Sequence, residues 1–444
     1  MIIRHYCNSF IEVQSSNEKI VCDPWIGKTK ESAWYSWPLY KENASFLNKI
    51  NPDFIYISHL HCDHFDEKVL SRYRKKNTRI IIKKFNSKRL KKKINDLGFN
   101  NVLEIDALKR KKISEEFNIA IVPQMSTNTS ELEDHVNYDL DTSIIIQSRS
   151  DKKVFYNNVD NPLSINELKS VKKFIDNKFR SALSIICYPL GAASGYPQAF
   201  TNLNKPLEKR RIIKKSFKKL DKVVKIFNPE FYFPAGGTYM ITGKFSLLNK
   251  WIAQPCNIEV AKHFRSMSCE YINIEGGGYI NLNGNKSQIK TIIDDLGSIK
   301  NHIQKKLSKV RYFYQKKRYI KSINFMNRLF NESQDKYFQR IKTLNIYTNW
   351  NIKINVYKDL CLKNDGEINM NKSGYFKSFI IRSNSKYNSR KVDLECNLDK
   401  DLFCHLMMRN SPWNTALTGS IIIFSRKSKV YNPTVENSLN FFTV

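Results

Sequence analysis

Ser58-His-Leu-His-Cys-Asp-His64 is the stretch on which the reading of this chain turns. Three imidazoles and a carboxylate lie between His59 and His64, directly after the apolar run Phe54 to Ile57. An extended backbone alternates its side chains, so His59 and His61 would leave the strand on one side and meet one metal ion. Asp63 and His64 follow where the chain must turn. There they can serve a second ion or hold an activated water beside the first. This mixture of neutral nitrogen and anionic oxygen suits zinc, iron or manganese better than it suits a solvated histidine tract.

Around this run, short strands alternate with helices. Phe10 to Val13 and Lys19 to Cys22 read as a hairpin turning at Ser15-Ser16-Asn17, and the second strand ends at Asp23-Pro-Trp25. Asp23 is either a turn residue before proline or a carboxylate that orients a metal-bound histidine from behind. Asp66 would cap a helix reaching about Lys75, and strand, helix and strand follow at Arg79 to Lys83, Ser87 to Leu97 and Val102 to Ile105. Phe117 to Pro123, Thr142 to Gln147 and Lys153 to Tyr156 read as further strands. Ser164-Ile-Asn-Glu167 spells a capping box, with Leu163 and Leu168 as its staple and Leu168, Val171, Phe174 and Ile175 as the apolar stripe. A lysine-studded helix is expected over about 207 to 226.

The 444 residues suffice for one large or two medium domains, and a soft boundary is placed near 255. Lysine and arginine number 74 against 41 acidic residues, a net charge of +33 that favours an anionic partner. The composition by itself is equally that of a lysine-rich surface. Between Lys305 and Lys321, Tyr312, Phe313, Tyr314 and Tyr319 interleave with basic residues. Nucleic-acid binding is disfavoured there, because no reader motif accompanies the segment and such aromatics are more often core. Nine cysteines without a C-x-x-C pair indicate free thiols in a reducing compartment. With no signal-peptide pattern and no apolar run of membrane-spanning length, a cytoplasmic protein is expected.

Strand-helix alternation with a His-x-His-x-Asp-His run after a strand resembles the metallo-β-lactamase superfamily. That resemblance implies an α/β fold, a four-layer αββα sandwich over residues 1–255 with the metal site at one edge. An α+β extension over 256–444 would complete or cover the core. It further implies His135 as a third ligand to the first ion, beside His59 and His61, and Asp160 as a bridging ligand with Asp63 and His64. Asp141 competes with Asp160 for that role. The final histidine of the hydrolytic members has no evident counterpart, His263 being the nearest candidate.

A nearer resemblance is to cytidine monophosphate N-acetylneuraminate hydroxylases. It is carried by Asp23-Pro-Trp25, the histidine run, Asp141-Thr-Ser143, Asn157-Asn-Val-Asp160, Gly191-Ala-Ala-Ser-Gly-Tyr-Pro197 and Phe233-Pro-Ala-Gly236, with Trp413 and Phe441-Phe442 near the end. Those enzymes carry a Rieske cluster, which needs Cys-x-His and Cys-x-x-His pairs. This chain has one Cys-x-His, Cys62-Asp63-His64 within the histidine run, and no Cys-x-x-His, so no Rieske cluster is expected, and oxygen chemistry would need a separate electron-donor protein. Ser194, Gly195 and Tyr196 would offer donors to a phosphate or carboxylate, and Arg409 near Trp413 could clamp an anion. The expected activity is a metal-dependent hydrolase with one or two divalent ions and Asp63 as general base. Its substrate would be an anionic small molecule such as a nucleotide-activated or phosphorylated amino sugar. The alternatives are an iron-dependent oxygenase of an N-acyl sugar nucleotide and a non-enzymatic polyanion-binding protein.

Overall fold

The computed structural model of the chain describes every residue except 39–43, 75–76, 126–140, 192–194, 285–295, 317–321, 345, 347–349, 383–391 and 428–432. Two seven-stranded sheets form its centre. The first runs in the order Gly278–Asn281, Ile2–Cys7, Phe10–Ser15, Glu18–Cys22, Phe54–Tyr56, Arg79–Lys83 and Val102–Ile105. The second runs Glu270–Tyr271, Phe231–Phe233, Ile185–Cys187, Val154–Asn157, Thr142–Ser148, Phe117–Pro123 and Lys111–Lys112.

These strands are apolar on both faces because each sheet is covered twice. Ile3, Ile11, Ile20, Phe54 and Ile81 of the first sheet meet Ile119, Ile121, Ile144, Ile146 and Phe155 of the second in one buried layer. The opposite faces take the helices. Val21, Ile55, Ile80 and Ile82 pack on Val69, Leu70, Leu90 and Ile94. Ala120, Ile145, Tyr156 and Ile186 pack on Leu168, Val171, Leu220 and Val224 of the helices Ile165–Phe179 and Lys205–Phe227. Helix, sheet, sheet and helix thus stack as the sequence led one to expect.

Local chemistry accounts for the boundaries. Ser16 takes a left-handed φ of 46° between Phe10–Ser15 and Glu18–Cys22, closing the hairpin. The Ser164 capping box forms both its bonds, Glu167 N to Ser164 Oγ and Ser164 N to Glu167 Oε2. Asp66 does accept from Lys68 N and Val69 N, yet the α-helix it starts is only Glu67–Leu70. The following residues through Arg74 are turn, so the expected helix to Lys75 is shortened.

The boundary near 255 cuts across the sandwich. Glu270–Tyr271 and Gly278–Asn281 are edge strands of the two central sheets, so the sandwich extends to about Leu282. Beyond it a third sheet, ordered Tyr375–Ile381, Ile352–Tyr357, Leu394–Asp399 and Ile423–Arg426, carries the helices Ile323–Thr343 and Lys400–Met407. Its core is continuous with Trp25, Trp34, Tyr239 and Phe245 of the sandwich side. Tyr312 and Tyr314 are fully buried in that seam and donate to Thr242 O and an Asp399 carboxylate oxygen. Tyr312 and Tyr314 therefore help hold the two parts together, and neither is placed to stack a base. Among the described residues, no helix is long and apolar enough to cross a membrane.

Candidate metal centre

Strand direction gathers the site. Glu18–Cys22 runs parallel to Phe54–Tyr56, with Cys22 opposite Tyr56, so Asp23 and the histidine run leave the first sheet at the same edge. In the second sheet Asn157 lies opposite Cys187, and Cys187 opposite Phe233, so Asp160, Tyr188 and Gly236 emerge together. Thr142–Ser148 is antiparallel to Val154–Asn157, which brings its start, and Asp141, to this edge as well. Carboxyl-terminal strand ends are where open α/β sheets collect their ligands.

Two clusters result. Donor atoms of His59, His61 and Asp141 lie within 4.8 Å of one another, as do those of His59, His64 and Asp160. His59 Nε2 is 2.7 Å from His61 Nδ1 and 3.3 Å from Asp141 Oδ1. His64 Nε2 is 2.9 Å from Asp160 Oδ2 and 3.6 Å from Asp63 Oδ2. Behind them, Asp23 accepts from Ser58 N at 2.8 Å and holds His64 Nδ1 at 3.0 Å. Asp23 thus stands at the rear of His64, and its other ring nitrogen faces Asp160. Ser58 Oγ lies 2.9 Å from His59 Nδ1, while its carbonyl accepts from Thr142 Oγ1, itself 2.6 Å from Tyr56 Oη.

Two of these carboxylates need unusual backbone. Asp23 and Asp160 have φ of 42° and 60°, a region aspartate tolerates better than most residues. Gly236 is required beside Asp160: a Cβ there would lie 3.0 Å from Asp160 Oδ1 and 2.9 Å from Val159 Cγ1.

Burial and charge set the protonation of the cluster. Burial, with His64 and His61 nearby, pushes His59 well below the usual imidazole range and keeps it neutral. Burial would also lower His64, but Asp63, Asp23 and Asp160 outweigh it and hold His64 well above that range. Burial raises Asp63, and Asp160 adds to the rise. Asp160 is driven down despite burial by its charge pairing and hydrogen bond with His64. Neutral His59 and ionised Asp160 are ready as donors to a divalent ion, whereas His64, held protonated by its three carboxylates, would give up its proton on binding one.

Not every expected residue takes part. Residues 135 and 194 lie outside the described residues, so the expectations for His135 and Ser194 are not addressed. His263 sits elsewhere, stacked on Phe217 with its Nε2 2.6 Å from Asp221 Oδ1. It does not replace the missing final histidine. Asp141 and Asp160, rivals for the bridging role that the family resemblance implies, occupy different clusters. Gly195 packs on the Leu417 carbonyl, which a Cβ would meet at 2.4 Å, and Tyr196 Oη donates to Glu208 at 2.7 Å. Neither lines the site, because this segment serves to seat the C-terminal part. Gly191 does reach a cavity wall.

Two cavities of about 510 and 490 Å³ open on the cluster, both lined by His61, Cys62, Asp141 and Trp413. Trp413 is buried and donates from Nε1 to Phe442 O at 3.2 Å. The segment it begins, through Thr415, forms a partition shared by both cavities. Arg409 lines the smaller cavity, with its Nε spent on Thr443 Oγ1 at 2.7 Å. Sequence reasoning did not select this wall beyond Trp413 and Arg409, nor Lys30, Glu31, Arg89 and Lys93 opposite it. No local pattern distinguishes them from surface and packing residues.

No family model matches the chain. A Mycolicibacterium smegmatis protein named for a Rieske 2Fe-2S iron-sulfur centre is 31% identical over 96 residues, 21% of this chain and 18% of that protein. The cytidine monophosphate-N-acetylneuraminic acid hydroxylase of Xenopus laevis is 27% identical over 251 residues, 54% of this chain and 38% of the hydroxylase. The chain therefore spans well under half the length of either relative. Among solved structures, CmlA, a diiron β-hydroxylase from Streptomyces venezuelae, has a TM-score of 0.43 at 14% identity, covering 63% of this chain and 54% of that one. In its own layer order, and in the edge at which its histidine run meets the second sheet, the chain has the four-layer αββα arrangement that its resemblance to the metallo-β-lactamase superfamily led one to expect.

Proposed function

We propose that this protein is a metal-dependent hydrolase of an anionic small molecule. The observation that carries the reading is the convergence of His59, His61 and Asp141, and of His59, His64 and Asp160, beside Asp63 at a cavity floor. A divalent ion held by these residues supplies Lewis-acid polarisation and a bound water of lowered pKa. His59 and His61 would hold it with Asp141; His64, Asp160 and Asp63 would hold or bridge to a second. Asp63, tied at its carbonyl by Ser9 Oγ at 3.0 Å, is positioned to take the proton that a water loses as it attacks. Asp23 fixes the ring of His64, and Trp413 screens the floor from bulk solvent. The substrate class we propose is a phosphorylated or nucleotide-activated amino sugar, whose scissile oxygen a bound ion would polarise.

A second reading is an iron-dependent hydroxylase fed by a separate electron donor. It is favoured by the 27% identity over 251 residues to a named hydroxylase. Iron accepts the same nitrogen and oxygen ligands as zinc.

Elemental analysis of protein purified without added metal tests both. Zinc at one or two per chain with substrate turnover and no oxygen uptake supports hydrolysis. Redox-active iron with substrate-dependent oxygen consumption in the presence of a reductase replaces it with the second reading. Protein without stoichiometric metal overturns both.

A further inference from the structure

The smaller cavity has a chemical character of its own. One end is the metal-facing side chains His59 and His61, and the other is a cationic rim of Lys30, Arg89 and Lys93. Lys30 and Arg89 are exposed at that rim. Lys93 Nζ is 3.7 Å from Glu67 Oε1, a half-exposed pair of the kind that holds its partners only weakly. Between rim and floor lies Glu31, only 3% exposed, with its backbone carbonyl accepting from Phe313 N at 3.0 Å. Glu31 is one of the cavity's lining residues, and its buried Oε2 has no hydrogen-bond partner among the described residues. A buried carboxylate oxygen left without a donor is costly, and burial pushes this carboxyl upward. A donor arriving with a ligand would satisfy it.

We infer that this cavity is a subsite for an anionic molecule bearing hydroxyl or amide donors: Lys30, Arg89 and Lys93 receive its anionic group, and Glu31 Oε2 accepts from its hydroxyl or N–H. The inference rests on the proposed function only for what happens at the reacting end. The larger cavity, across the Trp413 partition, is lined instead by the carboxylates of Asp63, Asp160 and Glu436 and by neutral polar groups such as Gln124 and Gln254, with Lys219 as its cation. The subsite therefore gives the ligand a direction, its anionic end on the Arg89 side of the partition.

Isothermal titration of the full chain with inorganic phosphate, glucose 6-phosphate and glucuronate tests this, with metal content measured on the same samples. Glucose 6-phosphate or glucuronate is expected to bind at one per chain and more tightly than phosphate. Which of the two does so tells whether the anion is a phosphate or a carboxylate. Arg89→Glu with Lys93→Glu should weaken every anion by about tenfold or more. Glu31→Met, which removes the acceptor, should weaken the sugar anion by about tenfold and leave phosphate unchanged. Glu31→Gln should recover part of that loss, and it decides alone if the methionine variant does not fold. Failure of both sugar anions to bind, unchanged binding in the double-charge variant, or equal effects of Glu31→Met on phosphate and sugar anion would overturn the inference. Metal-free protein that still shows the expected pattern would sink the metal reading and leave this one standing. Metal-loaded protein that binds no anion would do the reverse.

Discussion

The sandwich edge and the C-terminal wall face each other across the same two cavities, yet they are built on opposite terms. At the edge, charged and polar side chains sit fully buried and in mutual contact: His59, His64 and Asp23 are each at most 1% exposed. Every one of them comes from a strand end, so the sheets place them. At the wall, Trp413, Asn414, Thr415 and Asn440 line the cavities from short helices and turns. Those elements are held by the apolar core that contains Trp413, Phe441 and Phe442 and reaches Trp25 and Trp34 on the sandwich side. The difference teaches that strand ends place the clusters while the C-terminal elements place the wall, so under the proposed function chemistry and selection would rest on different elements.

The largest expected effect lies at the edge. Asp63→Ala should lower turnover by about 10²- to 10⁴-fold with folding intact, in whichever reaction the metal test establishes. Turnover near the wild-type rate would remove Asp63 from the chemistry. Trp413→Ala should cost the fold about 3–5 kcal/mol, read by denaturant melts, because it empties a buried aromatic site. If the two parts are separable, this variant keeps its full metal stoichiometry; loss of metal would join wall and edge into one unit. Asp23→Ala should weaken metal affinity by about 10- to 100-fold in chelator competition, with less effect on stability of the wall. An unchanged affinity would reduce Asp23 to a turn residue.

A smaller effect comes from carboxyls that the two parts bury separately. Burial raises Glu275, at the sandwich edge strand, to about 7 against an ordinary 4.5, with Lys300 only partly opposing it. Burial does the same to Glu436, which lines the larger cavity, and brings it to about 7 despite Arg426 at 3.1 Å. A folded-state pKa raised above the unfolded one means the folded form holds the extra proton between the two values. Stability from each group is therefore greatest below about pH 4.5 and falls as the pH climbs toward 7. Glu275→Gln should raise the melting temperature by a few degrees at pH 8 and leave it unchanged at pH 4.5. Equal shifts at both pH values would show that the group does not titrate in this way.

How much of this was legible in the sequence depends on how local the signal is. Arg79–Lys83, Val102–Ile105 and Phe117–Pro123 form as their apolar runs suggest, since a strand covered on both faces writes its burial into consecutive residues. The histidine run was legible for the same reason, all its donors falling within one turn of chain. Asp141 was harder. Its pairing with His59 depends on the antiparallel register of a strand eighty-odd residues downstream, and the family resemblance made it only a rival of Asp160. Phe174 was placed on the buried stripe, but Phe179 is buried in its place and Phe174 only half so. Lys30, Arg89 and Lys93 could not be singled out among 74 basic residues, because what distinguishes them is the cavity they share. Gly195 and Tyr196 looked like ligand contacts because a glycine-rich turn serves close packing on backbone as readily as it serves a phosphate.

The seating of the wall on residues far along the chain has a consequence for how the protein is made. Every side chain assigned to the two clusters has been synthesised once Asp160 is reached, whereas Trp413 and Asn440 emerge from the ribosome much later. A chain grown that far carries every donor of the two clusters while the side that the wall will cover is still open. Selectivity for what reacts there arrives last, when the final third of the polypeptide folds down over an occupied or empty centre.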